Sequence, residues 1–169
     1  MTDTTRQLEI RPAIEADFER IWEIFHAVVL TGDSYVFAPD ATRADARDYF
    51  VSDAFKTFVI TVDGVVAGMY KLRPNNVGLG GHVSNASFMV DPAYRGLSLG
   101  ERMGRHCLEE ARRMGYLAMQ FNFVVSTNTP AVTLWRKLRF EVVGVLPKAF
   151  RHATLGLVDA LVMYRFLDD

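Results

Sequence analysis

The sequence predicts an α/β protein: a mixed, mostly antiparallel sheet with helices on both faces. Three observations carry this. Apolar residues recur at helical spacing from Ile14 through Phe18, Ile21, Phe25 and Val28. Asp63-Gly64 separates two strand-like runs, which makes the first half of the sheet antiparallel. The second half then alternates strand, helix, strand, helix, strand, strand. At 169 residues the chain reads as one domain, residues 1–169, with no repeat, low-complexity tract or linker.

In order, Leu8–Arg11 is a short strand stopped by Pro12. A helix follows from Ile14, with Glu15 and Asp17 in its first turn, where the helix dipole favours anions. Residues 31–40 form a loop with unusual aromatic content. Thr42 with Asp45 resembles a capping box and starts a short helix reaching Phe50. Thr57–Val62 and Val65–Arg73 form the hairpin, Pro74–Gly81 is a turn, and His82–Val90 is the third long strand. A helix then shows Leu99, Met103, Cys107, Ala111 and Met114 on one stripe. Glu101–Arg105 and Glu109–Arg113 form favourable i,i+4 pairs, and Gly115 is a C-cap. Leu117–Val125 is almost continuously apolar, as in a strand covered on both faces. Asn128–Leu138 is a helix with Pro130 in its first turn. Glu141–Leu146 and Asp159–Leu167 are the last strands, with Pro147–His152 between them as a solvated basic loop.

Composition excludes several classes. A hydrophobic fraction of 50% with 23% charged residues is that of a globular domain. Nineteen Lys+Arg against twenty Asp+Glu leave a net charge of −1, so neither nucleic acid nor an anionic membrane is expected as the main partner. A lone cysteine forms no internal disulfide and no thiolate metal site. Four histidines without zinc spacing predict no metal. The polar opening lacks the layout of a signal peptide, and no apolar run is long enough to span a bilayer. A cytoplasmic protein is the resulting expectation.

The segment that carries chemistry runs from Met89 to Glu101. A strand feeds a small-residue turn, Arg95-Gly96-Leu97-Ser98-Leu99-Gly100, which opens a helix. Free N–H groups at a helix start bind phosphate, Gly96, Ser98 and Gly100 leave room for it, and Arg95 adds a cation. No Gly-Lys-Ser/Thr follows, so this is no P-loop. The antiparallel strands before it exclude a dinucleotide-binding fingerprint.

On these residues the sequence resembles the GCN5-related N-acetyltransferase (GNAT) superfamily. Its acetyl-CoA signature, Gln/Arg-x-x-Gly-x-Gly/Ala, matches residues 95–100, with Ser98 in place of the middle glycine. A second family motif matches Asn128 to Phe140, with Trp135 for the usual Tyr and Arg139 for Gly. The resemblance spans nearly the whole chain. It implies the GNAT acyl-CoA N-acyltransferase fold and direct acetyl transfer from acetyl-CoA, the co-substrate, to an amine in a ternary complex. It places the pyrophosphate on the amides of Arg95–Glu101 and the pantetheine beside Phe88, Met89 and Val90. Asn128 and the Ala131–Trp135 helix would contact the other side. A backbone N–H near Met89 or Val90 would polarise the thioester oxygen.

Two departures matter. The strand HVSNASFMV lacks the glutamate that many family members use as base. Trp135 cannot replace the tyrosine that donates a proton to the leaving thiolate. Two strand asparagines, Asn85 and Asn122, stand out instead, because asparagine is depleted in strands. Asn85 shares a face with Ser87, and Asn122 with Gln120. Either each amide is satisfied internally, or both line the acceptor cavity where the parallel strands diverge. The series Asn85, Asn122, Asn128, spaced by 37 and 6 positions, resembles yeast proline-analogue (azetidine-2-carboxylate) N-acetyltransferases. That resemblance implies that Asn85 and Asn122 bind and activate the acceptor, the catalytic positions expected here. His82 is a weaker base candidate, Tyr35 and Phe37 are either a cavity cover or core anchors, and Cys107 is a buried apolar residue. The expected partner is a small-molecule amine, an amino acid or toxic proline analogue. The alternatives are a non-catalytic acetyl-CoA-binding module or a protein N-terminal acetyltransferase. Similarity to family dimers points to a homodimer through the final strands.

Overall fold

The structure, a computed structural model, describes residues 6–168. Residues 1–5, on which the leader-free reading of the N-terminus rests, lie outside the described residues. The elements are β1 (Leu8–Pro12), α1 (Phe18–Leu30), α2 (Arg43–Phe50), β2 (Lys56–Val62), β3 (Val65–Pro74) and β4 (Val83–Val90). They continue with α3 (Leu99–Arg113), β5 (Ala118–Val125), α4 (Thr129–Lys137), β6 (Glu141–His152) and β7 (Gly156–Phe166).

Two expectations need correction. The first helix starts at Phe18 rather than Ile14, after a 3₁₀ turn over Glu15–Asp17. The Asp17 carboxylate causes the delay. It accepts the Ile14 N–H at 2.8 Å and the Arg11 guanidinium at 2.7 and 2.9 Å, which holds the entry in an extended approach. The last hairpin is also longer than expected: Pro147–His152 is no loop but the continuation of β6, and β7 begins at Gly156 rather than Asp159. Pro147 falls in a register break between Leu146 and Phe150, where a missing backbone donor is tolerated. Phe150 then turns inward against Phe123.

The seven strands lie in the order β1-β2-β3-β4-β5-β7-β6. Only β4 and β5 are parallel; the other pairs are antiparallel. Strand alternation sends side chains to two cores. Phe58, Ile60, Tyr70 and Leu72 meet Met103, Cys107 and Ala111 of α3 and Trp135 of α4. Val59, Val66, Met69 and Met89 meet Ile21, Phe25 and Phe50 of α1 and α2. Helices therefore cover both faces, and the mostly antiparallel mixed sheet is the one the sequence predicts. Asp63 (φ 51°) and Gly64 (φ 83°) both take the left-handed conformation that a tight hairpin needs. Thr42 and Asp45 form the reciprocal capping box. Among the described residues no helix is long and apolar enough to cross a membrane.

Candidate active site

The site begins where the sheet stops pairing. β4 and β5 are matched only at Val83–Ala118 and Ser84–Met119. The Ser84 hydroxyl donates to Ala118 O at 3.0 Å, and the Asn85 amide donates to Gln120 O at 2.9 Å. Beyond Asn85 the strands part. On the far side β5 follows β7 and breaks register between Phe121 and Val124, so Asn122 and Phe123 fall in the irregularity. The wedge is a cleft of about 240 Å³. Tyr35, Tyr49, Arg73, Asn85, Ser87 and Phe88 line it together with Asn122, Phe123, Asn128, Ala131 and Trp135.

The exposed edge of β4 can be read from its partners. Phe88 N–H donates to the Tyr35 hydroxyl at 3.1 Å, and that hydroxyl donates to Phe88 O. Asp91 N–H instead donates to Ala67 O of β3 at 2.8 Å. Backbone groups alternate along an antiparallel strand, so Phe88 and Val90 present their amides to the open edge of β4 and Met89 presents its to β3. Of the two positions expected to polarise the thioester, Val90 therefore has the right edge and Met89 does not. Phe88 joins Val90. Met89 is buried against α1 and α2 and marks the strand through its position only.

The two strand asparagines come together in this cleft. Asn85 is buried, and its amide replaces the ladder bond lost at the splay. Asn122 is exposed at the rim; it donates to Asn75 Oδ1 at 2.7 Å and accepts from Gln120 Nε2 at 2.9 Å. Asn128 caps α4 by accepting the Ala131 N–H at 3.4 Å. Trp135 is buried, with ring centres 4.9 Å from Phe88 and 4.6 Å from Phe121, so it is a packing residue on the cleft floor. The aromatic loop residues divide the work. Phe37 anchors the loop at 4.9 Å from both Phe25 and Tyr49, while Tyr35 reaches the cleft. Burial pushes the Tyr35 phenol well above its ordinary pKa, so the hydroxyl keeps its proton. His82 is not in the cleft; it is exposed, with Nδ1 3.1 Å from Leu79 O. Cys107 is buried on α3, and burial raises its thiol pKa.

The turn from Arg95 to Gly100 lies between β4 and α3. Gly96 has φ 84°, and a Cβ there would meet nothing within 4 Å. Ser98, the helix N-cap, has φ 56° and makes no side-chain cap. The amides of Leu99, Gly100 and Glu101 find no protein acceptor among the described residues, whereas Arg102 N–H already bonds Ser98 O. Arg95 is exposed beside them. Open space, free amides and a cation together fit an anionic group such as a pyrophosphate.

Residues 16–140 match the family model described as Acetyltransferase (GNAT) family. The chain belongs to this family. The GNAT assignment agrees with the splayed parallel pair and the amide-rich turn. The N-acetyltransferase aca1 of Schizosaccharomyces pombe is 28% identical, covering 80% of this chain and 73% of that protein. A GCN5-related N-acetyltransferase from Kribbella flavida superposes with a TM-score of 0.89 at 39% identity, over 94% of this chain and 97% of that one. A Salmonella typhimurium protein solved with its cofactor acetyl-CoA gives 0.80 at 25% identity, over 96% and 95%. This GNAT protein is thus an acetyl-CoA-dependent N-acetyltransferase, an enzyme that moves an acetyl group to an amine.

Sequence reasoning missed Tyr49 and Arg73 as cleft residues. Tyr49 sits on a helix face whose role depends on how α2 crosses the sheet; its hydroxyl donates to Ser87 Oγ at 2.7 Å. Arg73 carried one readable signal: it falls on the same alternating face as Lys71, near the end of a strand.

Proposed function

We propose that the acceptor is a small amine, an amino acid or proline analogue, bound in the cleft between Asn85 and Asn122. The observation that carries this is the early end of the β4–β5 ladder. It puts two side-chain amides and Phe88, on the open edge of β4, around one small space. Bound acetyl-CoA supplies the acetyl group: the amine nitrogen bonds its carbonyl carbon, the carbon–sulfur bond breaks to release a thiolate, and one proton passes from the amine to solvent as another reaches that thiolate. The amides of Arg95–Gly100 and the helix start hold the pyrophosphate. The Phe88 and Val90 edge, with Asn128, Ala131 and Trp135 opposite, holds the pantetheine. The Val90 N–H is the donor to the thioester oxygen, because the Phe88 N–H is already bonded to the Tyr35 hydroxyl.

No carboxylate lines the cleft among the described residues. Neither asparagine is a base near neutral pH. Asn85 and Asn122 therefore act by fixing the acceptor's polar groups and positioning a water that takes the amine proton. The small volume and the Tyr35 loop across it favour a free small molecule over a protein N-terminus.

Mass-spectrometric detection of acetyl transfer to a panel of amines separates these readings. Azetidine-2-carboxylate, proline analogues, phosphinothricin, polyamines and a peptide N-terminus make up the panel. Acetylation of the free small molecules is expected; peptide-only acetylation overturns the small-acceptor reading. Acetyl-CoA binding without any product from the free amines overturns the small-acceptor reading as well. Asn122→Ala is expected to cut turnover at least about tenfold, the loss of one positioned polar contact, with acetyl-CoA affinity unchanged. Near-normal turnover removes Asn122 from the mechanism.

A further inference from the structure

Arg73 is the one charged residue lining the cleft among the described residues. It lies near the end of β3, directly opposite Asn85 in the β3–β4 register. Its Nε is fully buried and has no hydrogen-bond partner, the only buried side-chain polar atom of the described residues in that state. Among the described residues the ion pairs run between other side chains, and none of them includes Arg73. Two positions back on the same face, Lys71 is buried too. Its ammonium donates to Tyr49 O at 2.9 Å and sits 3.2 Å from the centre of the Tyr49 ring, with no carboxylate. The cleft lining therefore carries one cation and no anion among the described residues, with the Lys71 ammonium buried behind it against Tyr49.

An unpaired buried N–H on a charged group is costly and calls for an explanation; here the guanidinium borders an open cleft in which no protein anion of the described residues meets it. The planar guanidinium fork matches a carboxylate in bidentate geometry, and a carboxylate is the anion that a small amino or imino acid carries. Resting on the small-acceptor reading above, we propose that Arg73 is the carboxylate anchor of the acceptor site, so that the substrates are free amino or imino acids. Amines without a carboxylate, amino-acid amides and peptide N-termini are then poor acceptors.

The dimensions agree. Three strand residues separate the Arg73–Asn85 register from Phe88, about 10 Å at strand rise. The arginine stem and a small amino acid cover that span between them, with the amine at the Phe88 end. The pairing also eases the chemistry. A free amino acid holds its ammonium proton partly through its own carboxylate. Arg73 neutralises that carboxylate, and no second carboxylate lines the cleft, so the amine loses its proton more readily. This lightens the task of a site built from asparagines.

The test uses matched pairs: azetidine-2-carboxylate, proline and methionine sulfone, each beside its amide, with acetyl-CoA and product measured by mass. The parent protein is expected to favour each acid by about 30-fold in kcat/KM, the size of one charge-assisted contact. Arg73→Gln is expected to erase that preference by raising KM for the acids, and Arg73→Lys to restore part of it. Melting curves check that both variants fold. Calorimetry of the same acids on the coenzyme A-saturated protein gives a readout without turnover. Amides acetylated as well as acids, or an acid preference that survives Arg73→Gln, overturns the anchor while the transferase reading stands. Acids that bind the parent but not Arg73→Gln, without product, support the anchor and overturn the transferase reading. Neither binding nor product overturns both.

Discussion

Gly104 sets how closely α3 approaches α4, and a single methyl group tests it. A Cβ at this position would lie 2.7 Å from Leu138 Cδ1 and 3.3 Å from Trp135 Cζ3. Both targets are buried, Leu138 at 3% and Trp135 at 8% exposure, so neither can turn into solvent. Overpacking of this kind costs about 1–3 kcal/mol. Alanine recovers up to about 1 kcal/mol through its better helix propensity. The expected net loss for Gly104→Ala is therefore about 1 kcal/mol, or roughly 2–4 °C in Tm for a chain of this size. Gly100, one turn earlier on the same helix, is the control. A Cβ there would meet only Leu134 Cδ2 at 3.4 Å, an ordinary contact. Gly100→Ala should therefore leave Tm unchanged or higher, yet weaken acetyl-CoA binding, because the new methyl sits in the amide-rich turn. Thermal melts and calorimetric titration of both variants read the two effects separately. A Gly104→Ala protein as stable as the parent refutes the close-approach argument.

Two further perturbations follow from the backbone and the buried charge. Ser98 holds a left-handed conformation without a capping bond. Ser98→Gly should relieve about 1–2 kcal/mol of that strain, less about 0.5–1 kcal/mol of glycine entropy, and raise the urea midpoint; a lower midpoint counts against the strain. Burial pulls the Lys71 ammonium down from its ordinary value to about 8, with Arg73 adding repulsion. Below pH 8 the folded and unfolded states are both protonated, and the fold bears the whole penalty. Between pH 8 and 10.5 the unfolded state holds the proton longer, so stability rises with pH. Relative to Lys71→Met, the parent should gain roughly 2 kcal/mol across that window after solvent screening is allowed for. Parallel stability curves for the two proteins would refute the assignment.

The sequence by itself determined most of the architecture. Helical spacing from Phe18 to Val28, the Asp63-Gly64 turn and the apolar run at Leu117–Val125 are local signals, and the fold keeps each of them. The glycine-rich turn was also legible, because free amides at a helix start depend on a few consecutive residues. Boundaries fared worse where a long-range contact decided them. Asp17 delays α1 through Arg11, and Phe150 carries β6 past Pro147 by packing on Phe123. Asn85 and Asn122 were visible as residues out of place in strands, but their meeting depends on where the parallel ladder ends. Arg73, Tyr49 and Tyr35 reach the same cleft from β3, α2 and the loop between α1 and α2. No periodicity links those segments. Only the tertiary structure decided that they converge, because β5 follows β7 through a register break and leaves the β4 edge open.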